Sequence, residues 1–230
     1  MDPQTLPEQE RKLYESIKKQ YKIAFEALKI GEHSLHLLRM TDLEEILEGK
    51  DPLKDVTTFP FWIRLWEAAI VLSQFIAGTP CQPGTKLLEL GAGLGAPGLT
   101  AAKVGYDVTL SDYEDIILDF ERINAAASRL DNVECLMLDW LKPDTTQQYD
   151  VILGAEILFR EEFFQPLLNV LEKTLKPGGV IYLAHDSNRQ SLKPFLQMAE
   201  KDYKIAASQK RLKSFDGDKT IILNRLQPRN

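Results

Sequence analysis

Leu13, Ile17, Tyr21, Phe25 and Leu28 recur at spacings of three and four through "RKLYESIKKQYKIAFEALKI". That period predicts an amphipathic helix, with Gly31 as its stop. "HSLHLLRM" is short, reads as extended and alternates only imperfectly, and "TDLEEILEG" predicts a second helix, with Thr41 and Glu44 at capping-box spacing and Gly49 beyond its end. A polar, proline-bearing linker, "KDPLKDVTTFP", leads into "FWIRLWEAAIVLSQFIAG", where Ile63, Trp66 and Ile70 mark a well-buried helix. Residues 1–80 therefore read as a helical preface, with a domain boundary at 60/61 separating an N-terminal helical extension (1–60) from the main domain (61–230).

From Lys86 the rhythm changes. Apolar runs of strand length, "KLLELG", "DVTLSD", "VECLML", "YDVILGAEI" and "VIYLAHD", alternate with helical patterns that start at Ala96, in "IILDFERINAAAS", in "REEFFQPLLNVLEKTL" and at about Ser191. "KPGG" predicts a turn before "VIYLAHD". Two last strands, "YKIAASQKRL" and "KTIILNRL", follow without an intervening helix. Alternation of this kind predicts an α/β fold. Its seven-stranded, doubly wound sheet is mostly parallel and binds ligands beyond the carboxyl ends of its strands, with an antiparallel hairpin at one edge.

Composition narrows the function classes. At 230 residues and 44% hydrophobic content the chain can bury a sizeable core. Its apolar segments are interrupted well short of the roughly 20 residues a bilayer crossing needs, and "MDPQTLPEQERKLYE" is too charged for a signal peptide, so a cytoplasmic location is expected. Cys81 and Cys135 stand in no CxxC or Cys/His spacing, which argues against a disulfide framework or structural zinc. The net charge of −6 is uneven: residues 61–180 hold nine Lys/Arg against seventeen Asp/Glu, and residues 181–230 hold ten against five. An acidic middle disfavours nucleic acid as partner, and the basic tail reads as solvated surface. A monomer is the favoured state.

The chemistry concentrates in "KLLELGAGLGAPGLT", residues 86–100, where Gly91, Gly93, Gly95 and Gly98 fall within eight residues. Such a loop lets backbone turn sharply and approach a ligand. Read from Gly93 it also satisfies GxGxxG, with Asp112 about 20 residues on, so a dinucleotide site is one candidate. Glu89 argues against it: a carboxylate about 5–6 Å from a pyrophosphate costs roughly 3 kcal/mol at an effective dielectric of 20. Toward a ligand carrying a sulfonium and an ammonium the same acid is attractive. A phosphate-binding P-loop is excluded, because Leu99-Thr100 stands where Gly-Lys-Ser would be.

"LELGAGLG" resembles the first motif of the class I, seven-β-strand S-adenosylmethionine-dependent methyltransferases, which are Rossmann-like, and the similarity runs over roughly residues 60–225. "VTLSDY" is similar to their second motif and "LDW" to the next. The resemblance implies S-adenosylmethionine as cofactor, bound by Glu89, Gly91, Gly93 and Gly95. It places Asp112 on the ribose, Asp139 near the adenine amine and Trp140 against the ring. "FWIRLWEAAIVLSQFI" and "ILGAEILF" resemble the protein-lysine methyltransferase branch. They imply that Trp66 covers the cofactor, that Gly154 and Ala155 lie beside it, and that Glu156 and Phe159 form the catalytic pair. Many members have Tyr where Phe159 stands, so the acceptor group is not assigned by this motif.

The implied reaction is methylation of lysine in a protein; a small amine acceptor on the same scaffold and a non-catalytic cofactor-binding module are the alternatives. Glu156 would orient the ammonium, and Phe159 would offer it a cation–π face. The plainer readings are that Glu156 caps the next helix or pairs with Arg160, and that Phe159, Trp66 and Trp140 pack in the core. His185 would face either substrate or solvent. His33 and His36 lack the set of acids or cysteines that a metal cluster needs, and no metal is expected.

Overall fold

The computed structural model describes residues 1–42, 61–214 and 217–229. Seven strands form one sheet in the order β5-β4-β3-β6-β7-β9-β8. They are β3 (Lys86–Leu90), β4 (Asp107–Asp112), β5 (Val133–Met137), β6 (Tyr149–Ala155), β7 (Leu175–Asp186), β8 (Tyr203–Ser214) and β9 (Gly217–Pro228). β5, β4, β3, β6 and β7 are parallel, whereas β9 runs antiparallel to β7 and to β8. Chain order reverses between β3 and β6, which opens a crevice at their carboxyl ends, where ligands of open α/β sheets bind.

Helices α2 (Glu67–Ala77) and α3 (Ala96–Lys103) bury alternate residues of β3, such as Leu87, on one face. On the other face α5 (Phe164–Thr174) and α6 (Leu192–Ala199) cover Leu88 and Leu90. α4 (Asp115–Ala127) links β4 to β5 and contributes Phe120 and Ile123 to a third apolar cluster. Both faces of the central strands are covered, so they read as unbroken apolar runs in the sequence.

The N-terminal region is extended at "HSLHLLRM", as expected, but departs from the long helix expected before it. α1 spans only Glu8–Lys18 and is followed by an antiparallel hairpin, β1 (Ile23–Ile30) and β2 (His33–Met40). Gly31, with φ +58°, opens its two-residue turn, a position where glycine relieves the strain of positive φ. It is therefore a hairpin glycine and not a helix stop. Two patterns overlap here: Phe25 and Leu28 continue the helical spacing, while Ile23 and Phe25, then Leu28 and Ile30, are the less exposed positions of two short alternating runs that change phase at exposed Glu26 and Ala27. Pairing along all eight residues of each strand decides between them. The hairpin shares apolar clusters with α1, α2, α3 and α4, so residues 1–42 pack directly on the sheet domain. The helix expected at 41–49 and the linker at 50–60 lie outside the described residues.

Two boundaries also shift. Residues 61–63 make a single 3-10 turn, and the helix starts only at Glu67, with Trp66 as its N-cap. "KPGG" is not a turn ahead of a strand. β7 already begins at Leu175, and the pairing with β6 jumps from Tyr149↔Leu175 to Val151↔Val180, so the motif is an irregularity within the strand. Among the described residues no helix is long and apolar enough to cross a membrane, and no group of three or more His, Cys, Asp or Glu is placed to hold a metal.

Candidate active site

The glycine loop leaves β3 after Leu90 and enters α3 through Gly95, which is left-handed at φ +74°. A Cβ on Gly95 would lie 2.9 Å from Leu110 Cδ1, and one on Gly98 would lie 2.3 Å from Leu110 Cδ2 and 2.7 Å from Glu89 Oε2. Only glycine lets α3 sit this close to the strands. Glu89 is 2% exposed, and its Oε2 accepts the Gly98 N–H at 2.7 Å. Asp112, at the end of β4, accepts the Gly93 N–H at 3.0 Å and the Tyr113 N–H at 2.9 Å. The two acids thus tie the loop and the start of α3 to β3 and β4.

Burial raises the Glu89 pKa to about 8; the Gly98 N–H offsets part of this and Asp112 adds to it. Burial likewise raises Asp112 to about 6, while the N–H groups of Tyr113 and Gly93 pull it down and Glu114 pushes it up. A cation brought beside such a carboxyl favours its ionised form, and an anion pushes it further toward the neutral one.

These residues face a cavity of about 650 Å³ at the carboxyl ends of β3, β4 and β6, within the range of small-molecule sites. Trp66, Glu89, Gly91, Gly93, Gly95 and Asp112 line it, as do Asp139, Trp140, Ala155, Glu156 and Phe159. Gly154 does not. It lies behind the wall, where a Cβ would stand 2.5 Å from Ile157 Cδ1, so its requirement is packing. Asp139 is exposed, and its Oδ1 accepts the Leu141 N–H at 2.8 Å. The Trp140 ring lies across Gly91, 3.8 Å from where a Cβ would be. Trp140, Phe159 and Phe163 form one aromatic wall with centroids 5.7–6.5 Å apart, and the Arg160 guanidinium covers Phe163 at 4.8 Å. Phe159 is 36% exposed and so is not a core residue.

Glu156 has φ +56°, a conformation uncommon outside glycine. Its N–H donates to Ala184 O at 2.9 Å, its Oε1 accepts the Asp186 N–H at 2.6 Å, and its Oε2 accepts Nε of Arg189 at 3.0 Å and also Nη2. The expected alternative partner, Arg160, pairs instead with Glu162 at 2.8 Å. Arg189 lines the cavity and was not singled out in the sequence, because "DSNRQS" has the composition of any solvated loop.

His185 faces neither substrate nor solvent. It is wholly buried on β7, neither ring nitrogen is hydrogen-bonded, and burial, with Arg189 adding to it, drives its pKa down to about 3. Asn124 is a further residue that the sequence did not mark. Its Oδ1 accepts the Leu38 N–H at 2.6 Å and its Nδ2 donates to Leu94 O at 3.1 Å, which joins the N-terminal hairpin to the glycine loop.

A sequence model of the lysine methyltransferase family matches residues 60–202, more than half of the chain. The chain belongs to that family. It is an S-adenosylmethionine-dependent methyltransferase, and the cavity's glycine cradle with acids and without a basic cluster at the loop suits that cofactor. Among relatives, it is 29% identical to protein N-lysine methyltransferase METTL21A of Mus musculus over 174 residues, covering 72% of this chain and 77% of that one. It is 27% identical to histone-arginine methyltransferase METTL23 of Homo sapiens over 185 residues, covering 71% and 90%. Among solved structures, N-methyltransferase NodS of Bradyrhizobium japonicum, in complex with S-adenosyl-L-homocysteine, shares the fold. Its TM-score is 0.58 at 19% identity, covering 82% of this chain and 97% of that one.

Proposed function

We propose that this methyltransferase acts on the side-chain amine of lysine in another protein. The observation that carries the reading is that two neighbouring rings, Phe159 and Phe163, and the carboxylate of Glu156 line one cavity. The rings suit an alkyl chain, and the carboxylate suits the cation at its tip.

When bound, the cofactor supplies a methyl group activated on a sulfonium. Asp112 makes the loop end of the cavity negative and Glu89 adds to it once the bound cation favours loss of its proton, and in this reading Asp112 takes the ribose hydroxyls, Asp139 the adenine amine and Trp140 the ring face. Trp66, at the N-cap of α2, closes the side of the cavity. Enclosure excludes water and holds the acceptor nitrogen in line with the methyl carbon, so much of the rate comes from positioning. At pH 7 a free lysine is neutral in about one molecule in 2,500, so the acceptor end must also favour loss of its proton to solvent.

A second reading, transfer to arginine, is favoured by the likeness to the histone-arginine enzyme, which extends over 90% of that protein. Incubation with tritiated S-adenosylmethionine and cell lysate, followed by acid hydrolysis of the labelled protein, separates the two. Methyl-lysine is the expected product. Label only in methyl-arginine selects the second reading, and label confined to small molecules overturns both.

A further inference from the structure

Glu156 enters the cavity already paired. Its carboxylate holds the Asp186 N–H and the Arg189 guanidinium, and the Glu156 side chain is only 8% exposed. Arg189 is anchored in turn by its own N–H to Asp186 O at 2.9 Å, so the loop after β6 is stapled to the loop after β7. The left-handed backbone of Glu156 persists because these bonds over-determine it.

We infer that Arg189 is a positioning residue that sets the protonation state of the acceptor amine through Glu156. The inference rests on the proposed lysine acceptor. A bare carboxylate beside an entering ammonium stabilises the ammonium, the unreactive form, and raises its pKa. A carboxylate already neutralised by a guanidinium still offers an oxygen for orientation but no longer holds the proton.

The other charges around the pair do not substitute for Arg189. Below it on β7, His185 is neutral, and the Asp186 carboxylate is turned to the Asn188 N–H at 2.9 Å. From the loop after β6, Arg160 is engaged by Glu162 and Phe163. On the loops after β4 and β5, Glu114 and Asp139 line the cavity as further anions. Ahead of α2, Arg64 stacks on Trp66 at 4.9 Å. On β9, Lys219 is taken by Glu67 at 2.9 Å. Arg189 is thus the cation bonded to the Glu156 carboxylate.

The test measures kcat for tritium transfer at saturating S-adenosylmethionine and saturating acceptor, the protein first labelled in the lysate and then purified, from pH 6 to 10. Each variant is divided by wild type at the same pH, so that pH effects common to both cancel. For Arg189→Gln the ratio is expected to be about one tenth on the acid limb and to climb toward one as pH passes that limb, because the pKa of the bound amine moves up by about one unit. For Glu156→Gln, which leaves the guanidinium uncompensated, the ratio falls with pH. Arg189→Lys keeps the charge and gives a flat ratio; its melting temperature and calorimetric cofactor affinity check that it folds. A pH-independent loss in Arg189→Gln, shifts of the same sign in the Gln variants, or identical behaviour of Arg189→Lys and Arg189→Gln overturns the inference. A wild-type protein that labels no protein at any pH overturns the lysine reading itself, and this inference with it.

Discussion

Among three buried acids, Asp112 raises the pKa values of Glu89 and Glu121, and Glu89 also raises that of Glu121. Since Glu89 titrates near pH 8 in the free protein, it carries a proton below that pH, and a bound cation favours losing it. Binding of S-adenosylmethionine is therefore expected to release a proton below pH 8, and affinity to rise up to about tenfold per pH unit until it levels above pH 8. Calorimetry at pH 6.5 and 8.5 reads this directly, and Glu89→Gln is expected to bind weakly with no such slope. Glu121, on α4, has no exposed surface and no well-formed hydrogen bond to either carboxylate oxygen; the Cys135 thiol beside it is a weak donor. Burial, together with the charges of Asp112 and Glu89, drives its pKa well up. A raised carboxyl pKa means that the folded state holds the proton more tightly than the unfolded one. Stability is then complete below the unfolded value and is lost as pH rises toward the folded one. Glu121→Gln removes that loss. It is expected to raise the melting temperature by about 2–4 °C, the equivalent of roughly 1 kcal/mol in a chain of this size, with the gain growing from pH 5 to pH 9. A variant that melts lower throughout would contradict this.

Between elements, Asn124 carries the coupling of hairpin to cofactor loop. Asn124→Ala strands the buried Leu38 N–H and Leu94 carbonyl and is expected to cost about 2–4 kcal/mol in denaturant unfolding. Cofactor affinity is also expected to fall, since Leu94 lies in the loop that lines the cavity. At this scale the sequence was legible wherever one period dominated. Strands β3, β4, β6 and β7 were visible as short apolar runs, and α4 and α5 as helical repeats. It misled where two periods coincided, as across Tyr21–Ile30, and where glycine served two devices, as at Gly31. Glu156 and Phe159 were recognisable from "ILGAEILF", but their surroundings were not. Arg189 follows Glu156 by 33 residues, and nothing local marks it.

For the whole molecule, ligand binding is linked to stability. S-adenosylmethionine at a hundredfold excess over its Kd adds about 2.7 kcal/mol, which is expected to raise the melting temperature by about 5–10 °C. NAD at equal concentration is expected to leave it unchanged, and a stabilisation by NAD alone would contradict the cofactor assignment. Much of the molecule was determined by sequence alone: the α/β alternation, the glycine loop with its acid, and the acids at 112 and 139. Each depends on residue type at short spacing, and local sterics and hydrophobic period act over those distances. Tertiary structure alone decided that residues 23–40 form a hairpin against α4, that Glu89 and Asp112 are spent on loop amides, that His185 is sealed away and that Glu156 meets Arg189. Such pairings depend on which segments burial brings together, and no local pattern encodes the partner of a buried charge.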